Sequence, residues 1–351
     1  MDTVRIGFVG VGSMGQMAHL RNYLTIPGCT VAAIAEIRPE TARLVATRCG
    51  IPAVYPHYSE MLANERLDGV VASQPFAQHA ALLPEIYPRV RHVLTEKPLC
   101  IDAAVGDRLA AAAAAAGCIH MVGYHKRSDP ATIWAKARIA ELVASGRLGR
   151  MTYVRILMPA GDWVAAGMTG LLKAGDQVSE GKPAVEPRPT DLDEAAYKKY
   201  VDFVNYYIHQ VNLMRHLIGG PYQVTYAEKS GVLLAVESTA GIPGTIEMTP
   251  YRTTIDWQEE ALVCFEKGWV RLTLPAPLTV NRAGTVEVYS DPDGGAPERI
   301  QPTLPWVHAM RQQAINFVAV CRGEIAPPCA AAEAVEDLRM ARDYIRLRFG
   351  A

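Results

Sequence analysis

The 351-residue chain carries no surplus of either charge: 35 Lys and Arg face 36 Asp and Glu, for a formal net charge of −1. Binders of nucleic acid or of membrane surfaces show a basic surplus, so neither partner is expected. There is no C-x-x-C pair either. The seven cysteines are scattered and odd in number, which fits reduced thiols better than a disulfide framework or a zinc site, and no metal is expected. Long apolar runs are also missing. The longest run of small apolar residues, Leu109 to Gly117, is mostly alanine and too short to cross a bilayer; it reads as a solvent-side helix. The sequence does not open on a cationic segment followed by an apolar one, so no signal peptide and a cytoplasmic location are expected. No internal repeat is found. Half of the residues are hydrophobic and a fifth are charged, the balance of an ordinary globular protein. A chain of this length buries roughly 75% of its unfolded surface and suggests two domains.

Residues 4–15 hold the strongest local signal. Val4, Ile6, Phe8 and Val9 make a buried strand, which ends in Gly10, Gly12 and Gly15. Met14, Met17, Ala18, Leu20 and Leu24 then follow helical spacing, and a second apolar run ends in Glu36, 21 residues beyond Gly15. Strand, glycines, helix, strand and acid in that order form a dinucleotide fingerprint. Gly10 permits a tight turn, Gly12 lets the backbone approach a pyrophosphate, and Gly15 allows close packing of helix on strand. Ser13 and Met14 open the helix, whose unpaired N–H groups face the phosphates. Glu36 is expected to accept from ribose hydroxyls and to repel a 2′-phosphate, favouring NAD. Arg38 pulls towards NADP, the alternative, or stacks on adenine.

Residues 1–122 alternate strand and helix, with strands expected at 4–9, 30–36, 69–72, 91–95 and 118–122. Apolar runs such as Gly69 to Ala72 suit strands buried on both faces of a parallel sheet. From about residue 150 the pattern changes to consecutive strands at 150–157, 222–228, 231–237, 243–250, 259–265 and 268–274. The expected fold is α/β: an N-terminal doubly wound domain (1–124) and a C-terminal α+β domain (125–351) with an open, mostly antiparallel sheet. Late helices at 306–322 and 331–348 close the chain, the last one free to pack back on the first domain. Residues 159–190 are rich in proline and glycine without period and read as a lid or a disordered stretch; they include Trp163, Lys173, Asp176, Lys182 and Arg188.

Two further features suggest chemistry. Glu96-Lys97-Pro98 ends a predicted parallel strand, where open α/β sheets bind their ligands. Pro98 directs Lys97, and a neighbouring nicotinamide cation would disfavour its ammonium form. The stretch 195–218 reads as one largely buried helix, yet Asp202, Asn205, His209, Asn212 and His216 recur at spacings of 3 and 4 on one face. Unpaired buried polar groups cost roughly 1–3 kcal/mol each, so this row meets either a polar partner surface or a wet cavity.

The glycine motif, Glu36, Glu96-Lys97-Pro98, Tyr124 to Pro130, Ser145 to Gly149 and the helix around His209 together resemble the glucose–fructose oxidoreductase / inositol dehydrogenase (Gfo/Idh/MocA) family over nearly the whole chain. The resemblance implies a Rossmann domain, a sheet domain that makes homodimer or homotetramer contacts, and NAD(P)-dependent hydride transfer at a secondary alcohol of a sugar, aminosugar, cyclitol or glycoside. It implies that Lys97 holds the reacting oxygen and that His209 is the general acid or base. Family members commonly place an aspartate four residues before this histidine and another acid three after it. Here those positions are Asn205 and Asn212, so proton transfer must rest on Lys97, His209 or a neighbour such as Tyr206 or Tyr124. Gln74, Pro75 and His79 are expected near the nicotinamide, and Tyr124, Lys126, Asn205, Tyr206 and Asn212 near the substrate. Arg127 and Asp129 read as a structural pair. An NAD-dependent glycosidase acting by transient oxidation, or a non-catalytic sensor, are the alternatives.

Overall fold

The computed structural model describes residues 3–178 and 184–350. Lys182 therefore lies outside the described residues. Contacts divide the chain into two units: Met1–Tyr124, Gly167–Pro189 and Gln313–Val335 form unit 1, while His125–Ala166, Thr190–Gln312 and Glu336–Ala351 form unit 2. The first boundary falls after Tyr124. Beyond it the chain is not one continuous domain, because two later segments return to unit 1.

Unit 1 is built on six parallel strands: β1 (Val4–Val9), β2 (Cys29–Ala35), β3 (Ala53–Tyr55), β4 (Gly69–Ala72), β5 (His92–Thr95) and β6 (Ile119–Val122). Their order, β3-β2-β1-β4-β5-β6, reverses direction between β1 and β4. Loops leaving the carboxyl ends of these two strands diverge and leave a crevice. β3 was not expected: three residues between Pro52 and Pro56 are too few to show a period. Helices α1 (π-helical over Gly15–Leu20, then Arg21–Tyr23), α2 (Pro39–Cys49), α3 (Tyr58–Asn64), α4 (His79–Ile86) and α5 (Ala103–Ala115) connect the strands. α5 buries only Gly106, Leu109 and Ala113, one face of an otherwise solvated alanine helix. The core joins Ile6 and Phe8 of β1, Ile34 of β2 and Tyr23 to Ala314, Phe317 and Val318 from the late segment. Phe8 meets Tyr23 edge-on at 5.4 Å between ring centroids, a pair worth about 0.5–1.5 kcal/mol beyond its area.

Unit 2 carries helices α6 (Pro130–Ser145), α7 (Glu194–Tyr206) and α8 (Ile208–Ile218) and eight strands: β7 (Met151–Leu157), β8 (Tyr222–Ala227), β9 (Leu233–Ser238), β10 (Pro243–Glu247), β11 (Glu260–Phe265), β12 (Gly268–Thr273), β13 (Thr285–Ser290) and β14 (Glu298–Ile300). The sheet order is β14-β13-β12-β11-β7-β10-β9-β8. All neighbours are antiparallel except β7 and β10, so the sheet is mixed but mostly antiparallel. α6 packs on β12 and β13, and α8 on β7 and β10. The expected single helix over 195–218 is two helices. Tyr207 sits between them at φ −94°, ψ −3°, off helical geometry. Two last helices, α9 (Ala309–Cys321) and α10 (Ala331–Phe349), close the chain. Among the described residues no helix is long and apolar enough to cross a membrane.

The segment expected to be a lid or disordered is divided. Trp163 stays with unit 2, where its carbonyl accepts from Leu278 N at 3.2 Å. Residues 167–178 and 184–189 form an extended strap on unit 1. Gln16 holds Leu172 at both its N–H (3.0 Å) and its carbonyl (2.9 Å). Glu186, buried, accepts from the N–H groups of Ile101 (3.0 Å) and Asp102 (2.8 Å). Lys173 and Arg188 are exposed.

Candidate functional site

Unit 1 holds a cleft of about 380 Å³ beyond the ends of β1, β2 and β4, lined among others by Gly10, Gly12, Glu36, Arg38, Gln74 and Pro75. The three motif glycines have different jobs in its wall. Gly10 has φ +81°, and a Cβ there would lie 2.7 Å from Gln74 Nε2. A Cβ at Gly15 would lie 2.6 Å from Ser73 Oγ and 2.7 Å from the Gly10 carbonyl oxygen. The chain itself therefore demands glycine at both positions. Gly12 differs, since the nearest atom to a Cβ would be Arg38 Nη2 at 3.8 Å. The protein has room for a side chain at position 12; a ligand lying against the backbone does not. Ser13 and Met14, half-buried, open the helix beyond it, and neither lines the cleft.

Glu36 closes one side of the cleft at 5% exposure. Its Oε2 accepts from Val11 N at 2.9 Å and Arg38 Nη2 at 2.9 Å. Its Oε1 accepts from Arg38 N at 3.1 Å and Arg38 Nε at 2.9 Å. Burial pushes this carboxyl up, but the Arg38 side chain and the Val11 N–H outweigh it and hold the group below the usual carboxylate range. Arg38 is correspondingly raised by its bond to Glu36. Across the cleft, Gln74 Oε1 is buried without a hydrogen-bond partner among the described residues. Ser73, Pro56, His57 and Tyr58 also line the cleft. Sequence reasoning missed the last three together with β3, after which they follow. A glycine cradle, an unsatisfied amide oxygen and a carboxylate at the end of β2 fit a dinucleotide.

Glu96, Lys97 and His79 lie away from the lining of this cleft. Glu96 Oε1 is 2.7 Å from His19 Nε2, inside the π-helical segment, and Oε2 accepts from Lys97 N at 3.2 Å. The carboxylate thus ties the start of the Lys97 loop to α1, and the Lys97–Pro98 peptide is cis. π-helical insertions are frequent at functional sites. His79, expected at the nicotinamide, is wholly buried and donates Nδ1–H to the Leu99 carbonyl at 2.8 Å. Burial lowers its pKa, so it stays neutral. Its place is beneath the Lys97 loop, where it holds the backbone two residues past Lys97.

Tyr124 ends unit 1 and is buried. In unit 2 the polar row of α7 and α8 runs from solvent into the interior. Asp202 and Asn205 are exposed, His209 and His216 are half-buried, and Asn212 is buried. His209 meets buried His125 edge-on, 4.6 Å between ring centroids. Tyr206, half-buried on the other side of the helix break, has its hydroxyl 3.4 Å from Gly161 N, and burial raises its pKa.

Two residues expected at the substrate have other occupations. Asn212 Oδ1 accepts from Arg127 Nε at 2.6 Å, and its Nδ2 donates to Asp337 at 2.7 Å. Asp337 also takes the guanidinium of Arg215 at 2.9 Å. Lys126 is buried against Glu259, which in turn accepts from Gln210 Nε2 at 2.8 Å. An amide at position 212 suits a network that already holds one carboxylate between two guanidinium groups. Arg127, expected to pair with Asp129, donates its Nε–H to Asn212. Asp129 caps α6, accepting from Ala131 N at 2.8 Å and Gly284 N at 3.0 Å, and burial pushes its pKa up to about 6.

Residues 4–124 match the model of the Gfo/Idh/MocA family, described as an oxidoreductase family with an NAD-binding Rossmann fold. An inositol 2-dehydrogenase of Rubrobacter xylanophilus is 31% identical over 149 residues, 42% of this chain and 42% of that protein. Less than two thirds of that relative's own length is therefore matched. A dehydrogenase of Chromobacterium violaceum superposes with a TM-score of 0.70 at 15% identity, covering 97% of this chain and 94% of that one. The WlbA dehydrogenase of Bordetella pertussis, solved with NADH and UDP-GlcNAcA, gives a TM-score of 0.69 at 20% identity, covering 99% and 98%. Over residues 4–124 the chain is therefore similar to the NAD-binding Rossmann domain of the Gfo/Idh/MocA oxidoreductase family.

Proposed function

We propose that this protein is an NAD(P)-dependent oxidoreductase that interconverts a secondary alcohol and a ketone on a neutral sugar or cyclitol. The observation that carries the reading is the cleft at the β1/β4 switch point, where Gly12 is held open and Glu36 closes the far side. Gly10, Gly12, Glu36, Arg38, Gln74 and Pro75 would hold the dinucleotide. When bound it supplies or accepts the hydride. Lys97 follows β5 at the carboxyl end of the sheet, and its ammonium donates to the oxygen of the reacting carbon. Glu96, His19 and His79 are positioning residues, which fix the loop on either side of Lys97. His209 is the proposed proton carrier, since imidazole titrates near neutral pH. Tyr206 stands one turn earlier in the chain. The two asparagines accept no proton, and Asn212 is the reading's structural member rather than a substrate contact.

A neutral polyol is favoured by the amides and hydroxyls of the α7–α8 region, and by a relative named as an inositol dehydrogenase. The test is a panel of sugars and cyclitols offered with NAD and with NADP, followed at the absorbance of the reduced nicotinamide. Lys97→Ala is expected to lose several orders of magnitude in kcat while its Kd for NADH stays within about threefold. Cofactor that co-purifies with the protein and never yields net NADH would instead favour redox-neutral glycoside cleavage. A ligand response untouched by Lys97→Ala would favour a sensor.

A further inference from the structure

Glu36 and Arg38 form a closed pair, with every acceptor position of the carboxylate in use. At short range their charges cancel, so Glu36 alone repels a 2′-phosphate weakly. The pair leaves Arg38 at the cleft wall and, directly after it, the first turn of α2. A 2′-phosphate finds its best partners in such a guanidinium and such N–H groups.

That turn is already taken. Asp176, on the strap, accepts from Glu40 N at 2.8 Å, from Thr41 N at 3.2 Å and from the Thr41 hydroxyl at 2.5 Å. Ala174 N also reaches Thr41 Oγ1 at 3.3 Å, and Val178, two residues past Asp176, lines the cleft beside Glu36 and Arg38. The strap thus sets a carboxylate on the first turn of α2, close enough to Arg38 to act on its guanidinium. We propose that Asp176 is a specificity-determining residue, which excludes the 2′-phosphate by filling the donors of α2 and by adding a negative charge beside the neutralised Glu36–Arg38 pair. The Thr41 hydroxyl and N–H hold this carboxylate below its usual range, so it stays charged well into acid.

This proposal rests on the dinucleotide reading of the cleft. It is tested by titrating NAD and NADP into the full-length protein, wild type, Asp176→Asn and Asp176→Ala, at low and at high salt. Asp176→Ala is expected to tighten NADP at least tenfold while NAD changes less than about threefold. Asp176→Asn keeps an acceptor without the charge and should move NADP in the same direction by less. Added salt should shrink the gain, because the term is electrostatic at a partly exposed corner. Equal changes for both dinucleotides, or an unchanged ratio in both variants, would overturn the proposal and leave Asp176 as an anchor of the strap. A wild-type protein that binds neither dinucleotide would overturn the cleft reading itself, and the proposal with it.

Discussion

The two units treat buried polar groups in opposite ways. In unit 1 the polar atoms around the glycine motif converge on a cleft, and one of them, the buried Gln74 Oε1, has no hydrogen-bond partner among the described residues. In unit 2 the polar row that marks α7 and α8 has one buried member, Asn212, and the buried polar groups around that row bind each other. Arg127, Asn212, Asp337 and Arg215 form one such network; Lys126, Glu259 and Gln210 form another. A polar residue on an apolar helix is therefore ambiguous until its partners are known. The same cost of desolvation drives both outcomes, a ligand-facing wall or an internal salt-bridge network.

The largest expected effect separates these cases at a single backbone position. Gly12→Ala should leave the fold and its melting temperature nearly unchanged, because a Cβ at Gly12 meets nothing closer than 3.8 Å. It should weaken NADH binding at least a hundredfold by titration, whereas a cleft that takes no dinucleotide would show no such asymmetry. In unit 2 the expected damage is to stability. Arg215→Met leaves Asp337 buried beside fewer cations and should destabilise by about 3–5 kcal/mol in denaturant melts, with NADH binding by unit 1 retained in native conditions. Were Arg215→Met silent in stability, the network would not be a structural one.

A smaller effect, shared by both units, depends on pH. His120 in unit 1 lies between the Tyr87 hydroxyl and Thr95 Oγ1, each 2.9 Å away, and burial lowers its pKa to about 3. His216 in unit 2 is also lowered to about 3, by burial and then by Arg127, Lys136 and Arg215. Each binds its proton in the unfolded chain near pH 6.5 but not in the folded one. Stability should therefore fall as pH drops below about 6.5, by up to about 1.4 kcal/mol per pH unit for each histidine. Asp129, raised to about 6, works the other way: the folded state holds its proton below that pH and gains stability as the medium acidifies. Urea melts of wild type and His120→Gln between pH 5 and 7.5 should show a slope smaller by about one proton in the variant.

What was legible in the sequence was local. The glycine turn, Glu36, the strands of unit 1 other than β3 and the strand-rich character of unit 2 follow from spacing and apolar runs over a few residues. The parallel β7–β10 pair was not legible, because a register that sets Val154 beside Gly244 leaves no periodic mark in the sequence. The break at Tyr207 was hidden by apolar spacing that continues through it. The strap was hidden for another reason: Gln16, Thr41 and the N–H groups of Ile101 and Asp102 hold it, and none is near it in sequence. At the candidate site the same rule holds. Gly12 and Glu36 can be named from the motif, but the roles of His79, Lys126 and Asn212 are set by partners 20, 133 and 85 residues away.

The central claim is that Lys97 serves hydride transfer by a dinucleotide bound to unit 1. Its most direct test uses nicotinamide dinucleotide deuterated at C4 in the reduced form, incubated with the protein and a set of keto-sugars and ketocyclitols. The account predicts deuterium on a ring carbon of the alcohol formed, at a rate that falls by several orders of magnitude in Lys97→Ala with NADH binding intact. No transfer to any of these ketones by a wild-type protein that binds the dinucleotide, or transfer undiminished in Lys97→Ala, would contradict it.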